Sequence, residues 1–553
     1  MLIRKEKFCV YVYNEGFNLI SEGEEVFFFN VKTTVNDDEN EKIESFEHMS
    51  ENTFQWVSKS SIWDKKIYTL IIEEENLIYS VKVHGSGKLG KVMYLNESDF
   101  NTSGYYLPAI HGEGEVNPHY LMTKSCINDL MFLTPPPLCY IFDMEQNPMI
   151  TGVGLLTEKG KYNFDYFNYE YKDNRCSFVT DFYEYTKVCG EFELPSIIVN
   201  VGKNEEDILR KYADYHYVHG YCNKDEKKPF KWWYGPLFCG WGDQWVCLTK
   251  KQEKDINWAE QIEGKPVEEI IASALDASNE NEYRKMLNSC KEKDITISAV
   301  IIDDKWQKEY GTLEADTNKW PDMRKFIDEC HSKGLKVKLW VKLWNCEGLP
   351  DEECVLKDGK AIYVDPTSPE YIKRLEKSLY RLLSNDEGCY NADGFKLDFA
   401  NVMPLGEGLQ IHEKGVYGIE LLKRLLSLFY KISKQIKPDA LISTSCAHPY
   451  FREVTDMFRL HDYYAASNNG FSNLQARTML GTTMLGDDIL VDTDGMSGAR
   501  RRDAMLGFRN CTKFGIPDLY GVELFSFLSD DDWKEVSEIY KNYHDSIDKK
   551  FND

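Results

Sequence analysis

The sequence predicts a multidomain chain: an N-terminal antiparallel β-sandwich with its linker over residues 1–225, a (β/α)8 TIM barrel over 226–525, and a C-terminal helix over 526–553. Three observations carry this expectation. A chain of 553 residues exceeds what one hydrophobic core serves. Its rhythm changes at the polar stretch Cys222–Pro229, from short β-rich runs to strands alternating with long amphipathic segments. Acidic and aromatic residues then recur at the ends of the later strands, where a barrel builds its active site.

In the first part, FCVYVYN, EVFFFNVKT, KIYTLIIEEENLIYSVKVHG and SIIVNVG are rich in Val, Ile, Phe and Tyr and are separated by turn residues, the pattern of an antiparallel sandwich. EEEN near Glu73 reads as a solvated turn. GSGKLGK (Gly85–Lys91) matches most of a phosphate-binding loop, but Val92 replaces the magnesium-ligating Ser or Thr and strand patterns flank it, so a hairpin turn is expected. A helix begins near Glu205, and Cys222–Pro229 reads as the linker.

Eight strands follow: GPLFCGWG, ITISAVIIDD, LKVKLWVKLW, DGFKLDF, ALISTSC, MFRLHD, DILVDTD and IPDLYG. Between the fourth and fifth, GIELLKRLLSLFYKISKQIKP places its apolar residues at helical spacing, and Pro438 marks the stop. The sixth unit has the shortest connections. The strand ends carry Asp303 and Asp304, Trp340 and Trp344, Lys396 and Asp398, Cys446, Arg459 and Asp462, and Asp492 and Asp494. One such aspartate is an ordinary cap. Repetition with aromatics describes an acidic cup with stacking walls, a composition suited to sugar hydroxyls and the apolar face of a sugar ring.

Lys396 and Asp398 stand two apart on one strand and so share its inward face. A neighbouring cation favours the ionised carboxylate, which is what a glycosidase nucleophile requires. An internal salt bridge that only fills the barrel is an equally good reading of the pattern alone.

Several segments, in order, resemble the α-galactosidases of glycoside hydrolase family 36, clan D. FKLDF (Phe395–Phe399) resembles the nucleophile strand, VIIDDKWQ (Val300–Gln307) the double-aspartate strand, and YVDPTSPE (Tyr363–Glu370) the Asp-Pro segment. STSCAHP (Ser443–Pro449) is similar to the cysteine-bearing strand, and FRLHDYY (Phe458–Tyr464) to the arginine-to-acid segment. The resemblance implies Asp398 as nucleophile and Asp462 as general acid/base in a retaining double displacement. The Arg459–Asp462 spacing is one residue shorter than usual, which leaves Asp456 as a competitor for the acid/base. Asp303 and Asp304 would accept hydrogen bonds from the sugar, with Trp306 and Trp340 nearby. Lys396 and Arg459 would contact hydroxyls beside the anomeric carbon, and Cys446 would line the pocket. Lys305 stands where the family commonly has glycine.

The resemblance implies no metal and no cofactor, and it leaves self-assembly into a homo-oligomer open. The implied activity is hydrolysis of terminal α-galactosides. The alternatives are an α-N-acetylgalactosaminidase, an α-glucosidase, a raffinose-synthase-like transglycosylase, or a catalytically silent sugar-binding protein. A formal net charge of −25 argues against nucleic acid or an anionic membrane and favours small uncharged partners such as oligosaccharides. Fifteen scattered cysteines without a C-x-x-C pair, and no signal-peptide pattern, point to a cytoplasmic protein with reduced thiols.

Overall fold

The computed structural model describes all residues except 22–23, 40, 101–104, 109–137, 144–148, 173–174, 251–274, 461–462, 465–469, 495, 498–500 and 553. Fifteen strands between Leu2 and Gly202 form one antiparallel sheet system. Its spine is the strand Asn76–Phe100, paired along most of its length with Arg175–Glu193. The first half of the spine also pairs with Lys65–Ile72, and the second with Thr34–Val35 and Glu24–Asn30. Phe142, on Cys139–Asp143, meets Phe27 edge-on at 5.5 Å and Phe178 at 6.0 Å, which brings the two wings of the sheet into aromatic contact.

The GSGKLGK stretch does not turn. It runs straight through the spine, Gly85 opposite Gly190 and Leu89 opposite Thr186. Its glycine at 87 answers a packing demand, because a Cβ there would lie 3.1 Å from the Trp63 ring. The chain reverses earlier, at EEEN, where Glu73 N donates to Asn76 O at 2.9 Å.

The helix Glu205–Val218 starts where expected, with Asn204 accepting from Asp207 N. It buries Ile208, Leu209 and Tyr212 between the sheet and the second domain. Tyr212 donates its hydroxyl to Leu155 O and sits 3.0 Å from His448 Nε2. Tyr162 stacks on Tyr450 at 3.9 Å, and Phe164 O accepts from Ile419 N at 3.0 Å. Cys222–Pro229 is irregular but anchored to the barrel, since Asp225 O accepts from Arg452 and Lys227 N donates to Asp488.

The second domain is a parallel, barrel-like sheet of eight strands in chain order: Leu237–Cys239, Ala299–Ile302, Lys336–Lys342, Gly394–Asp398, Leu441–Thr444, Met457–Arg459, Leu490–Asp492 and Asp518–Leu519. The eighth strand pairs with the first, and a parallel bridge between Asp492 and Ile516 joins the seventh to the approach of the eighth. All eight lie within the expected segments. Helices Glu280–Glu292, Met323–Ser332, Pro369–Leu383, Gly418–Ile436, Gly470–Leu485 and Arg501–Phe514 fill the connections, except that only a 3-10 helix, Pro449–Val454, separates the fifth strand from the sixth.

Helix Gly418–Ile436 buries Leu421, Leu422, Leu425, Leu426 and Phe429, each contributing about 1.5–3 kcal/mol by leaving water. Ser368 caps Pro369–Leu383, with Pro369 in its first turn. Gly394 (φ 155°) opens the fourth strand, where a Cβ would fall 2.1 Å from Leu441 O. Just before it, Asp393 accepts from His331, Lys336 and Val337 N, which pins the base of the strand. The terminal helix Asp530–Asn552 docks by Trp533 and by an Arg501–Asp532 ion pair. Among the described residues no helix is long and apolar enough to cross a membrane.

Candidate active site

The expected strand-end residues converge at one end of the barrel. Asp398, last in the fourth strand, accepts from Trp340 Nε1 at 3.0 Å on Oδ2, and from Arg459 Nη2 at 2.7 Å and Phe399 N at 2.8 Å on Oδ1. Phe399 holds a left-handed backbone conformation (φ 59°) as the chain leaves the strand for the 3-10 turn Ala400–Val402. All three donors favour the anion. The Asp398 side chain keeps 15% of its surface accessible while that of Arg459 keeps none.

Lys396 does not pair with Asp398. It donates to Asp303 Oδ2 at 2.9 Å and to the Tyr520 hydroxyl at 2.9 Å, and lies 3.6 Å from Cys239 Sγ. Residues two apart on a strand are separated by roughly 6.6 Å of rise, so the ammonium finds the carboxylate of a neighbouring strand first. The cation on Asp398 is Arg459, which also donates to Asp494 Oδ2 at 2.6 Å. Tyr520 donates to Asp494 at 2.5 Å. A continuous chain of charged and polar groups thus runs from Asp303 through Lys396, Tyr520, Asp494 and Arg459 to Asp398. Burial opposes the charge on Lys396, but Asp303 holds its ammonium well above the usual lysine range.

Asp304 differs from its neighbour. Asp303 Oδ2 is met by Lys396 and Cys239, and its Oδ1 accepts from Asp304 N. Asp304 accepts from the Tyr310 hydroxyl at 2.7 Å on Oδ1. Burial pushes its carboxyl up to about 7; the Tyr310 bond opposes this and the charge of Asp303 adds to it.

Other expected residues are placed elsewhere. Trp306 is fully buried in the wall and donates to Trp340 O at 2.8 Å, so it supports Trp340 rather than facing the opening. Trp344 is likewise buried, donating to Ala400 O. Cys446 is fully buried beside Thr444, apart from the charged chain, with its thiol pushed up by burial. Asp456 precedes the sixth strand and lies at its opposite end, accepting from Lys434, Tyr430 and Ile442 N. Asp462 lies outside the described residues. Lys305 turns away to Glu347 at 2.7 Å, over the face of Tyr310. Tyr310, Tyr520, Cys239 and the pairing role of Asp494 were not singled out from sequence. Tyr520 and Asp494 follow the same strand-end rule as the residues that were.

The comparisons agree with this architecture. Residues 270–469 match the sequence profile of the glycosyl hydrolases family 31 TIM-barrel domain. The chain therefore carries a glycosyl hydrolase domain; the motifs resembled family 36, and the matched family is 31. The fold is similar to that of a family 31 sulfoquinovosidase from E. rectale in complex with an aza-sugar inhibitor, with TM-score 0.55 and 10% identity over 98% of this chain and 83% of that one. It is also similar to a cycloalternan-degrading enzyme from Trueperella pyogenes in complex with isomaltose, with TM-score 0.51 and 10% identity over 90% and 82% of the two chains. An α-galactosidase from Thermus thermophilus in complex with stachyose gives TM-score 0.51 and 13% identity over 84% and 97%. At these identities the likeness is one of fold. No curated protein sequence matches the chain.

Proposed function

We propose that the chain is an exo-acting, retaining α-glycosidase, with Asp398 as nucleophile and Asp462 as general acid/base. The observation that supports this most directly is the Asp398 carboxylate, which accepts from Trp340, Arg459 and Phe399 N and stays open to the barrel mouth. In the first step an Asp398 oxygen attacks the anomeric carbon while Asp462 protonates the departing oxygen. In the second, Asp462 takes a proton from water as the water oxygen attacks the anomeric carbon and its bond to Asp398 breaks, which releases the sugar with its configuration retained. Asp462 follows Arg459, the last residue of the sixth strand, by three residues in the sequence. Asp304, whose Oδ2 has no partner among the described residues, would accept a sugar hydroxyl, while Asp303 would act through Lys396. The substrate is a terminal α-linked sugar, with α-galactosides and α-glucosides as the first candidates.

The test is hydrolysis of nitrophenyl α-galactoside, α-glucoside and α-N-acetylgalactosaminide by the full chain, with Asp398→Ala and Asp462→Ala beside it. The expected loss on the preferred substrate is at least about a thousandfold for Asp398→Ala, equivalent to about 4 kcal/mol. A fluorinated glycosyl donor should leave a covalent sugar on the peptide containing Asp398. Activity retained within about tenfold in Asp398→Ala rejects the assignment.

A further inference from the structure

Lys342 is an inward-facing cation at the mouth with no ion-pair partner among the described residues. Lys338, Trp340 and Lys342 alternate along the third strand and so share its inner face. Lys338 is fully buried and donates to Ser443 Oγ at 2.5 Å. Trp340 reaches Asp398. Lys342 ends the strand, opposite Asp398 in the register of adjacent strands. The other cations around the opening are paired: Lys396 with Asp303, Arg459 with Asp398 and Asp494, and Lys305 with Glu347. Half-buried Lys342 forms no ion pair or hydrogen bond with the described residues. Its ammonium lies instead 4.9 Å from the centre of the Tyr310 ring and 5.0 Å from that of Phe399. Aromatic faces hold a cation in place and strip its water, but they leave its charge uncancelled.

We infer that the sugar accepted by this site carries an acidic substituent (a sulfonate, phosphate or carboxylate) that is met by the Lys342 ammonium. This rests on the glycosidase reading above. The side of the opening is set by Tyr310, which touches Lys342 with its ring and donates its hydroxyl to Asp304. The acidic group therefore belongs on the part of the sugar that faces Asp304 rather than on the departing group. A neutral sugar offers this ammonium a hydroxyl dipole, whereas an anion offers a charge-assisted hydrogen bond. The net charge of −25 does not forbid this, because charges beyond about 8 Å are largely screened at physiological salt while Lys342 acts at contact.

The test measures kcat/KM for matched nitrophenyl α-glycosides of glucose, glucuronic acid, glucose 6-phosphate and 6-deoxy-6-sulfoglucose. One acidic substrate should exceed the neutral one at least tenfold, through KM. Lys342→Met should lower that ratio at least tenfold, and Lys342→Arg should keep it within about threefold of wild type. Neutral glucoside hydrolysed as well as every acidic analogue overturns the inference. So does a Lys342→Met loss that is equal for both classes, the result expected if Lys342 only offsets the charges of Asp304 and Asp398. Asp398→Ala is run in parallel: activity surviving there overturns the glycosidase reading, which separates the two failures. If wild type turns over none of the four, calorimetric binding of glucose, glucuronate and glucose 6-phosphate to Asp398→Asn, with and without Lys342→Met, decides; equal affinities overturn the inference.

Discussion

Arg459 forks between two carboxylates, with Nη2 2.7 Å from Asp398 Oδ1 and Nη1 2.6 Å from Asp494 Oδ2. The guanidinium is fully buried, so its charge is offset by protein groups rather than by water. Those partners lie on opposite sides of it, one on the fourth strand and one just beyond the seventh. Arg459 thus ties the proposed nucleophile to the far wall of the barrel and fixes the orientation of its carboxylate.

A lysine in its place has one charged nitrogen and cannot reproduce the fork. Arg459→Lys should lower kcat/KM at least about a hundredfold, close to 3 kcal/mol of transition-state stabilisation. Arg459→Ala removes the cation shared by Asp398 and Asp494 and should cost about 3 kcal/mol of stability in urea denaturation. Arg459→Lys with kcat/KM within threefold of wild type would show that the fork is dispensable.

Asp304 trades stability for its position. Burial pushes its folded-state carboxyl up to about 7, well above the ordinary aspartate range, so the folded chain binds the proton more tightly than the unfolded one. Stability therefore falls as pH rises from about 4 to 7, and the ionised group is a burden above that. Full linkage would set the burden at about 4 kcal/mol, an upper bound. Asp304→Asn keeps the Tyr310 contact and removes the titration. It should raise the melting temperature at pH 8 but much less at pH 4.5, while lowering turnover at both. Equal shifts at the two pH values would sink this account.

The strands of the barrel were legible because each is a short apolar run bounded by turn residues, and their aspartates stood out because they are poor strand formers. Which aspartate met which cation was not legible. Strand parity aims Lys396 and Asp398 inward together, but partnership is decided across neighbouring strands, and there Asp303 captures Lys396 and Arg459 captures Asp398. Tyr310 and Tyr520 went unnoticed because a tyrosine at a strand end carries no periodic signal. GSGKLGK misled in the opposite direction, since its glycines accommodate a ring from a distant segment rather than a reversal of the chain.

Gly87→Val places a branched side chain against the Trp63 ring, where even a Cβ would lie at 3.1 Å. Trp63 is buried and donates its indole N–H to Val35 O, so it has little room to yield. Overpacking of this kind should cost about 1–3 kcal/mol, seen as an earlier urea midpoint with an unchanged slope. Gly87→Ala should fall between the two. A valine variant as stable as wild type would return the stretch to the status of an unexplained motif.

The junction between the domains should be sensitive to acid. His448 Nδ1 accepts from Tyr450 N, so Nε2 carries the proton and donates to the Tyr212 hydroxyl, whose own hydrogen goes to Leu155 O. His216 packs edge-on against His448 at 5.1 Å, bonds Tyr212 O through Nδ1, and has a buried Nε2 with no hydrogen-bond partner among the described residues. Burial pulls His216 down to about 4 and His448 well below its ordinary value. The unfolded chain then binds protons more readily, so stability conferred by these neutral rings is intact above about pH 6.5 and declines as pH falls towards 4. His216 alone accounts for about 3 kcal/mol over that interval. His216→Phe preserves the ring contact and cannot titrate. Denaturation measured at pH 7.5 and pH 5 should show a smaller acid loss in the variant than in wild type, and identical losses would remove His216 as the source.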